Sequence, residues 1–358
     1  MSATHEYDVL VVGLGPGGAS AALTAAEGGL TVLGIERSHT VGEPIQCAEF
    51  IPSPMGAYAR DGVRVQPITG MKSTLPSGRV EASAFPGIMI DRARFDRSIA
   101  RRAADAGAIL ETDRLLAGLD ADRRVALIRF KSGEERRVGY RLLVAADGPH
   151  SPVAAALRLR PLRVVQTRQY TVPLRAPYTD TDIWLSDEFP GGYGWLFPKG
   201  EVANVGVGAD KRFERDLKAP LERLHRALAG HGLVGAEILL RTGGAIPVEG
   251  LRERLVERDS VLFVGDAAGL THPVTGAGIA AAVVSGERAG RAAVAAVRDR
   301  DPEALADFEE DVRDQYEVGL QRAVERRAWL DRRWRTPAAG DDGVMRRGWI
   351  AFDEYFAA

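Results

Sequence analysis

Tyr7-Asp8-Val9-Leu10-Val11-Val12, then Gly13-Leu14-Gly15-Pro16-Gly17-Gly18, then an alanine-rich stretch, then Leu30-Thr31-Val32-Leu33-Gly34-Ile35-Glu36: this segment decides the fold. The first apolar run is short and β-branched, so it reads as a strand. Gly13, Gly15 and Gly18 stand at the G-x-G-x-x-G spacing, with Gly17 inside the same loop. One glycine makes the tight turn, one lets backbone N–H groups approach a pyrophosphate, and one lets the helix pack close on the strand. The helix N-terminus then offers partial positive charge to the phosphates. Glu36 ends the second strand about 20 residues on, where a carboxylate takes up adenosine ribose hydroxyls. A glycine-rich turn in an ordinary α/β unit would not need this acid. The segment predicts a Rossmann-like dinucleotide-binding unit.

The chain has 358 residues, long for one core, so two domains are expected. Net charge is −2, which points away from a nucleic-acid partner. Cys47 is the one cysteine, so no intrachain disulfide forms and a reducing compartment fits. Glu6 and Asp8 stand where a signal peptide would be basic. No apolar run reaches about 18 residues, so no transmembrane helix is expected. A cytoplasmic location follows, with peripheral membrane contact as a further reading. The histidines form no metal-ligand spacing, and no metal is expected.

Outward from Glu36, a loop from Arg37 to Gln46 reaches Cys47-Ala48-Glu49-Phe50, and Ser53 opens a short helix. Residues 63–87, rich in proline and glycine, read as short antiparallel strands. A helix follows to about Ala106, with Phe95, Ile99, Ala103 and Ala106 at helical spacing. Strands are expected near 108–119, 124–130 and 135–146, the last a buried parallel strand ending at Asp147-Gly148. Residues 163–210 carry Tyr170, Trp184, Phe189, Tyr193, Trp195 and Phe197 and read as a second, antiparallel sheet. A helix near 211–230, a buried strand at 260–265 and a long helix from about Gly276 to Val297 follow. A charged helix spans 302–335, and a final short helix carries Trp349, Phe352, Tyr355 and Phe356.

The fold class is therefore α/β. A discontinuous nucleotide domain takes residues 1–62, 88–162 and 240–300. An inserted β-sheet substrate domain takes 63–87 and 163–239, and a C-terminal helical segment takes 301–358. Arg322, Arg326, Arg327, Arg332, Arg333 and Arg335 read as a solvated helix face, with a lipid-surface role as the alternative.

Distant motifs agree with the glycine loop. They are Asp91-Arg92-x-x-Phe95-Asp96, Asp147-Gly148-Pro149-His150-Ser151, and Gly265-Asp266-Ala267-Ala268-Gly269 followed by Pro273 and Gly276-Ala277-Gly278-Ile279. The combination resembles the FAD-dependent flavoproteins of the p-hydroxybenzoate hydroxylase fold. Asp266 at a strand end can accept a ribityl hydroxyl. Gly276 and Gly278 open a helix whose N–H groups suit negative charge on a reduced flavin. Gln46-Cys47-Ala48-Glu49-Phe50 and Gly192-Tyr193-Gly194-Trp195-Leu196-Phe197-Pro198-Lys199, with Val205-Gly206, resemble the geranylgeranyl reductase family. Phe50 stands where many members carry glycine.

The resemblance implies FAD as cofactor. The cofactor-binding residues it implies are Gly13, Gly15, Gly17, Gly18, Glu36, Arg37, Cys47, Ala48, Phe50, Arg92, Leu116, Asp147, Gly148, Gly265, Asp266, Pro273, Gly276, Gly278 and Ile279. It implies Cys47, Tyr193 and Trp195 as the catalytic set. Tyr193, Trp195 and Phe197 alternate, so they share one face, which reads either as sheet core or as a slot for a long apolar chain. Cys47 reads either as a small buried hydrophobe or as a proton donor. The implied reaction is saturation of isoprenoid C=C bonds, on a small apolar or prenyl-lipid substrate. No second G-x-G-x-x-G marks the electron donor, which is NAD(P)H or a reduced carrier protein. The rivals are an FAD-dependent monooxygenase acting on an aromatic substrate and a non-catalytic flavin-binding module.

Overall fold

A computed structural model describes residues 6–60 and 62–357. Residues 1–5, 61 and 358, which fall in the expected nucleotide and C-terminal segments, lie outside the described residues. Two sheets organise the chain. In the first, the strands run in the spatial order Val256–Glu257, Val261–Phe263, Glu135–Ala145, Tyr7–Val12, Val32–Ile35, Ile109–Glu111. Tyr7–Val12 lies parallel to both neighbours, with Val9 opposite Val32 and Leu142. Val9, Leu10 and Val11 are fully buried, as a strand covered on both faces requires. Helix Pro16–Glu27 covers it and crosses helix Ile279–Val294 at glycines. A Cβ on Gly286 would meet the Gly17 carbonyl oxygen at 2.0 Å, so only glycine permits this approach.

The second sheet has the order Leu240–Thr242, Val164–Pro173, Val202–Ala209, Gly194–Lys199, Asp180–Trp184, Arg64–Thr74, Val80–Ile90, Phe50–Pro52. The expected short strands at 63–87 are instead one long hairpin, closed where Gly78 adopts a φ of +87°. Pro67 and Pro86 sit within it, and irregular pairing near Arg64 and Ile68 accommodates the missing donors. Phe50–Pro52 pairs with Val80–Ile90, while Leu240–Thr242 and Ala245–Pro247 pair with Val164–Pro173. The 1–62 and 240–300 segments thus each give strands to the second sheet.

Three further differences have local causes. The strand expected at 108–119 splits into Ile109–Glu111 and Arg114–Asp120, because Asp113 turns at φ +55°. The long helix begins at Ile279, since Gly276 at φ +72° keeps the preceding loop non-helical. The last helix, Asp342–Gly348, stops before the aromatics it was expected to carry. Trp349 and Phe352 follow it in bends and Tyr355 ends a 3-10 helix, Asp353–Tyr355; all three are buried, whereas Phe356 is exposed. Among the described residues no helix is long and apolar enough to cross a membrane, and no group of side chains could hold a metal ion.

Candidate functional site

The site begins at the glycine loop. A Cβ on Gly18 would lie 1.8 Å from the Gly13 carbonyl oxygen, and one on Gly13 would lie 2.4 Å from that of Ala146. These glycines are needed for the loop to close on the strand. A Cβ on Gly15 would meet nothing within 4 Å, so this glycine faces open space where a ligand's phosphates fit. Gly15 caps helix Pro16–Glu27 without a side-chain hydrogen bond, and Pro16 at the first turn has no N–H to satisfy. The free N–H groups behind it suit an anion.

Glu36 accepts hydrogen bonds from the backbone N–H of Leu14 and of Ser38, both at 2.9 Å, which fixes its carboxylate at the mouth of the loop. Arg37 is exposed beside it, and Leu116 packs in the core of the first domain. Asp147 accepts from the Val153 N–H at 2.8 Å through one carboxylate oxygen, while the other is buried without a protein partner. Burial raises its pKa above the ordinary carboxylate value. A buried, unpaired acceptor beside an uncapped glycine loop fits a dinucleotide that donates a hydroxyl. Gly148 turns away at φ +83°.

On the far side, Gly265 turns at φ +56° and its N–H donates to the Ser285 hydroxyl. Asp266 accepts from the Thr271 hydroxyl at 2.5 Å, and burial raises its pKa. Gly278 caps helix Ile279–Val294 with no side-chain bond, leaving that N-terminus open as well. His272 folds the intervening loop: its Nδ1 accepts from the Thr275 N–H at 3.2 Å, and burial pushes its pKa down to about 4.

The Cys47-Ala48-Glu49 turn is tied to strands of the second sheet. Gln169 Nε2 donates to the Cys47 carbonyl at 3.1 Å, and Trp195 Nε1 donates to Gln169 Oε1 at 3.1 Å. The Tyr193 hydroxyl donates to the Thr275 carbonyl. Arg92 pairs with Asp96 at 2.8 Å and also meets the Cys47 thiol. Burial works against the Arg92 charge, but Asp96 and Cys47 outweigh it and hold its pKa above the ordinary value. Burial pushes the Cys47 thiol up, against the pull of Arg92. Tyr193 is raised by burial and then by Cys47. Both groups therefore hold their protons at neutral pH and can act as acids.

Most residues expected from the sequence converge here. Tyr193 lies just before strand Gly194–Lys199 rather than within it, but keeps the face of Trp195. Trp195 is buried and its ring lies over Gly206, where a Cβ would meet it at 2.1 Å. Ala48 packs at the edge of the same aromatic cluster. The Phe50 ring packs against Phe85 and Phe197, with centroids 5.9 and 6.1 Å away. Trp334, Met345, Trp349 and Phe352 from the C-terminal segment complete the aromatic wall.

Several residues here were not foreseen. Glu49 is buried and accepts from Lys199 Nζ at 2.7 Å and Asn204 Nδ2 at 2.9 Å. Arg327 is only 5% exposed, which corrects the expectation of a solvated face at this residue, while Arg322, Arg332 and Arg335 are exposed as expected. It donates to the carbonyls of Gly191 and Pro273 at 2.8 and 3.1 Å, tying the Tyr193 turn to the His272 loop. Arg326 is also engaged, donating to the Tyr355 carbonyl at 2.9 Å.

A glycine loop at a helix N-terminus, the Glu36 and Asp266 carboxylates and a second open helix N-terminus fit the class of flavoproteins that bind FAD. Residues 87–323 match the family model described as an FAD binding domain. A digeranylgeranylglycerophospholipid reductase of Methanocaldococcus jannaschii is 35% identical over 340 residues, covering 87% of this chain and 81% of that protein. One from Methanopyrus kandleri is 34% identical, covering 88% and 89%. A crystal structure of a geranylgeranyl bacteriochlorophyll reductase-like protein from Thermoplasma acidophilum superposes with a TM-score of 0.82 at 29% identity, covering 91% of this chain and 90% of that one. A probable FAD-dependent monooxygenase from Pseudomonas aeruginosa, at 20% identity and a TM-score of 0.70, covers 94% and 99% and shares the fold. The chain belongs to the geranylgeranyl reductase family of FAD-dependent oxidoreductases.

Proposed function

We propose that the protein reduces carbon–carbon double bonds in the isoprenoid chain of a prenyl lipid. The observation that carries this reading is the Cys47 turn, bonded through Gln169 to Trp195 and set against an aromatic wall. Its relatives from M. jannaschii and M. kandleri are named for reduction of a digeranylgeranyl lipid. Bound FAD, once reduced, supplies the hydride.

The chain's own residues do the rest. Gly13, Gly15, Gly17 and Gly18 with Glu36 hold the adenosine diphosphate end. Arg37 and Gly148 flank it, Leu116 backs it from the core, and Asp147 takes a hydroxyl. Asp266 holds the ribityl chain, with Gly265, Pro273, Gly276, Gly278 and Ile279 shaping the approach to the ring. Arg92, Ala48 and Phe50 back the Cys47 turn. Tyr193 and Trp195 line the slot for the apolar chain and exclude water. Cys47 holds the proton that completes the reduction, since burial keeps it a thiol. A prenyl-lipid substrate also brings the protein to a membrane surface, which liposome flotation tests.

The deciding experiment is anaerobic reduction of the holoenzyme, followed by challenge with geranylgeranyl lipids and with aromatic acids under argon. Re-oxidation by the prenyl chain, with loss of its double bonds, is expected. Re-oxidation only by oxygen, with hydroxylation of an aromatic acid, would overturn the reading.

A further inference from the structure

Trp195 and Phe197 share one face of their strand with Tyr193 just ahead of it, and Lys199 is the next residue on that face. Its ammonium reaches both oxygens of Glu49, at 2.7 and 2.8 Å. Glu49 is 3% exposed and sits at φ +71°, a left-handed conformation that an L residue keeps only when its surroundings enforce it. Here they do. Asn204 Nδ2 and the Arg92 N–H also donate to its carboxylate, at 2.9 and 3.0 Å. Asn204 is itself oriented by Thr171, whose hydroxyl donates to its Oδ1 at 2.9 Å. The Glu49 N–H donates to Cys47 Sγ at 3.2 Å.

We propose that Glu49, clamped by Lys199 and Asn204, is the positioning residue that aims the Cys47 thiol and sets its charge state. The inference rests on the role given to Cys47 above. Four groups face the sulfur. Arg92, from helix Arg92–Asp105, favours a thiolate, as does the Glu49 N–H. The Glu49 carboxylate opposes one, while Tyr193 keeps its proton and adds no charge. Gln169, on the remaining side, is neutral and bonds only the Cys47 carbonyl. Lys199 balances the carboxylate, so the pair sets how much negative charge the sulfur meets. A buried carboxylate in a strained turn stays there only because its charge is matched.

Cys47 is the sole cysteine, so alkylation by iodoacetamide reads it directly. The FAD-loaded protein is alkylated across pH. Glu49→Gln removes the opposing charge, and its profile should move about one pH unit lower, with an approximately tenfold faster reaction at pH 7. Lys199→Met unmasks the carboxylate and should move the profile higher, and Lys199→Arg should restore it. A residue that merely supports the fold would shift both variants toward the ordinary thiol value, about 8.5. Shifts in the same direction, or none, would overturn the proposal. If Glu49→Gln does not fold, the Lys199→Met and Lys199→Arg pair decides alone. Re-oxidation of reduced Glu49→Gln by a prenyl chain should slow about tenfold; the wild-type rate would also overturn it. A wild-type protein inert toward prenyl chains would refute the proposed function, while the alkylation shifts would still decide the role of Glu49.

Discussion

The phosphate loop and the Cys47 turn are two halves of one site built in opposite ways. The loop is local. Its shape comes from glycines whose absent side chains let Gly13 and Gly18 close on backbone oxygens, and its acid, Glu36, lies 22 residues from the Leu14 N–H it anchors. The Cys47 turn is assembled from afar. Gln169, Lys199 and Asn204 hold it from 122, 150 and 155 residues away. One half depends on what the backbone can reach, the other on which side chains a sheet brings together. The first is fixed by a short stretch of chain, so variation there should be all-or-none. The second is spread over many bonds, so it should yield gradually and allow substrate preference to be tuned.

The comparison breaks most readily at Gly18. Gly18→Ala places a Cβ 1.8 Å from the Gly13 oxygen and 2.9 Å from Ala146 Cβ, with backbone on one side. We expect at least about 3 kcal/mol of lost stability and a protein purified without FAD. Absorbance of the purified variant and its thermal unfolding check both. Retention of bound FAD would show that the loop yields as readily as the turn does.

Arg327 is a buried tie between the Tyr193 turn and the His272 loop, beside the assembled half. Arg327→Gln removes bonds to the Gly191 and Pro273 carbonyls and strips a charge from beside Asp210, although Arg212 still pairs with that acid at 2.7 Å. A loss of about 2–3 kcal/mol is expected, measured by chemical denaturation. FAD content should hold while turnover falls, because the arginine joins the Tyr193 turn to the His272 loop rather than to the phosphates.

Legibility follows the same division. Gly13, Gly18 and Glu36 are readable because a strand, a turn and an acid recur at fixed spacing and each spacing has a steric cause. The alternation that put Tyr193, Trp195 and Phe197 on one face also reached Lys199, but no local pattern tells which acid will meet a lysine 150 residues away. Arg327 carried a signal that composition masked. Phe308, Val312, Leu320 and Ala323 form the buried stripe of their helix, and Arg327 continues it one turn on. The hairpin at 64–90 was hidden because prolines that usually end strands are absorbed by irregular pairing. The aromatic C-terminus looked helical because its residues must be buried, yet bends and one 3-10 turn bury them equally well.

His272 tests the joint between the halves by pH. Its folded pKa, about 4, is depressed from 6.5 by burial. A neutral imidazole that loses hydration when charged contributes stability above the unfolded pKa, and that contribution is lost as pH falls toward 4. The expected difference between wild type and His272→Gln is on the order of 3 kcal/mol, appearing between pH 6.5 and 4. Unfolding free energies measured across that range check it. Parallel curves for the two proteins would mean that the loop does not feel the imidazole's charge.

The smallest effect, and the most selective, belongs to Gln169. Its amide joins two otherwise unrelated pieces: the indole N–H of Trp195 on one side and the Cys47 carbonyl on the other, each at 3.1 Å. Gln169→Met keeps the length and bulk of the side chain and removes both bonds. The Cys47 carbonyl loses this partner, and the Trp195 N–H is left buried. The net cost should be near 1 kcal/mol, with FAD content unchanged because no bond to the phosphate loop is touched. The turn would still be held by Glu49, Lys199 and Asn204, so the thiol should stay close to its place but with greater freedom. Re-oxidation of the reduced protein by a prenyl chain should then slow two- to threefold, about 0.5 kcal/mol of barrier, while reduction of the flavin proceeds at the wild-type rate. Stopped-flow measurement of the two half-reactions separates these outcomes. Equal slowing of both would place Gln169 with the cofactor, and the turn and the loop would then be one mechanical unit rather than two.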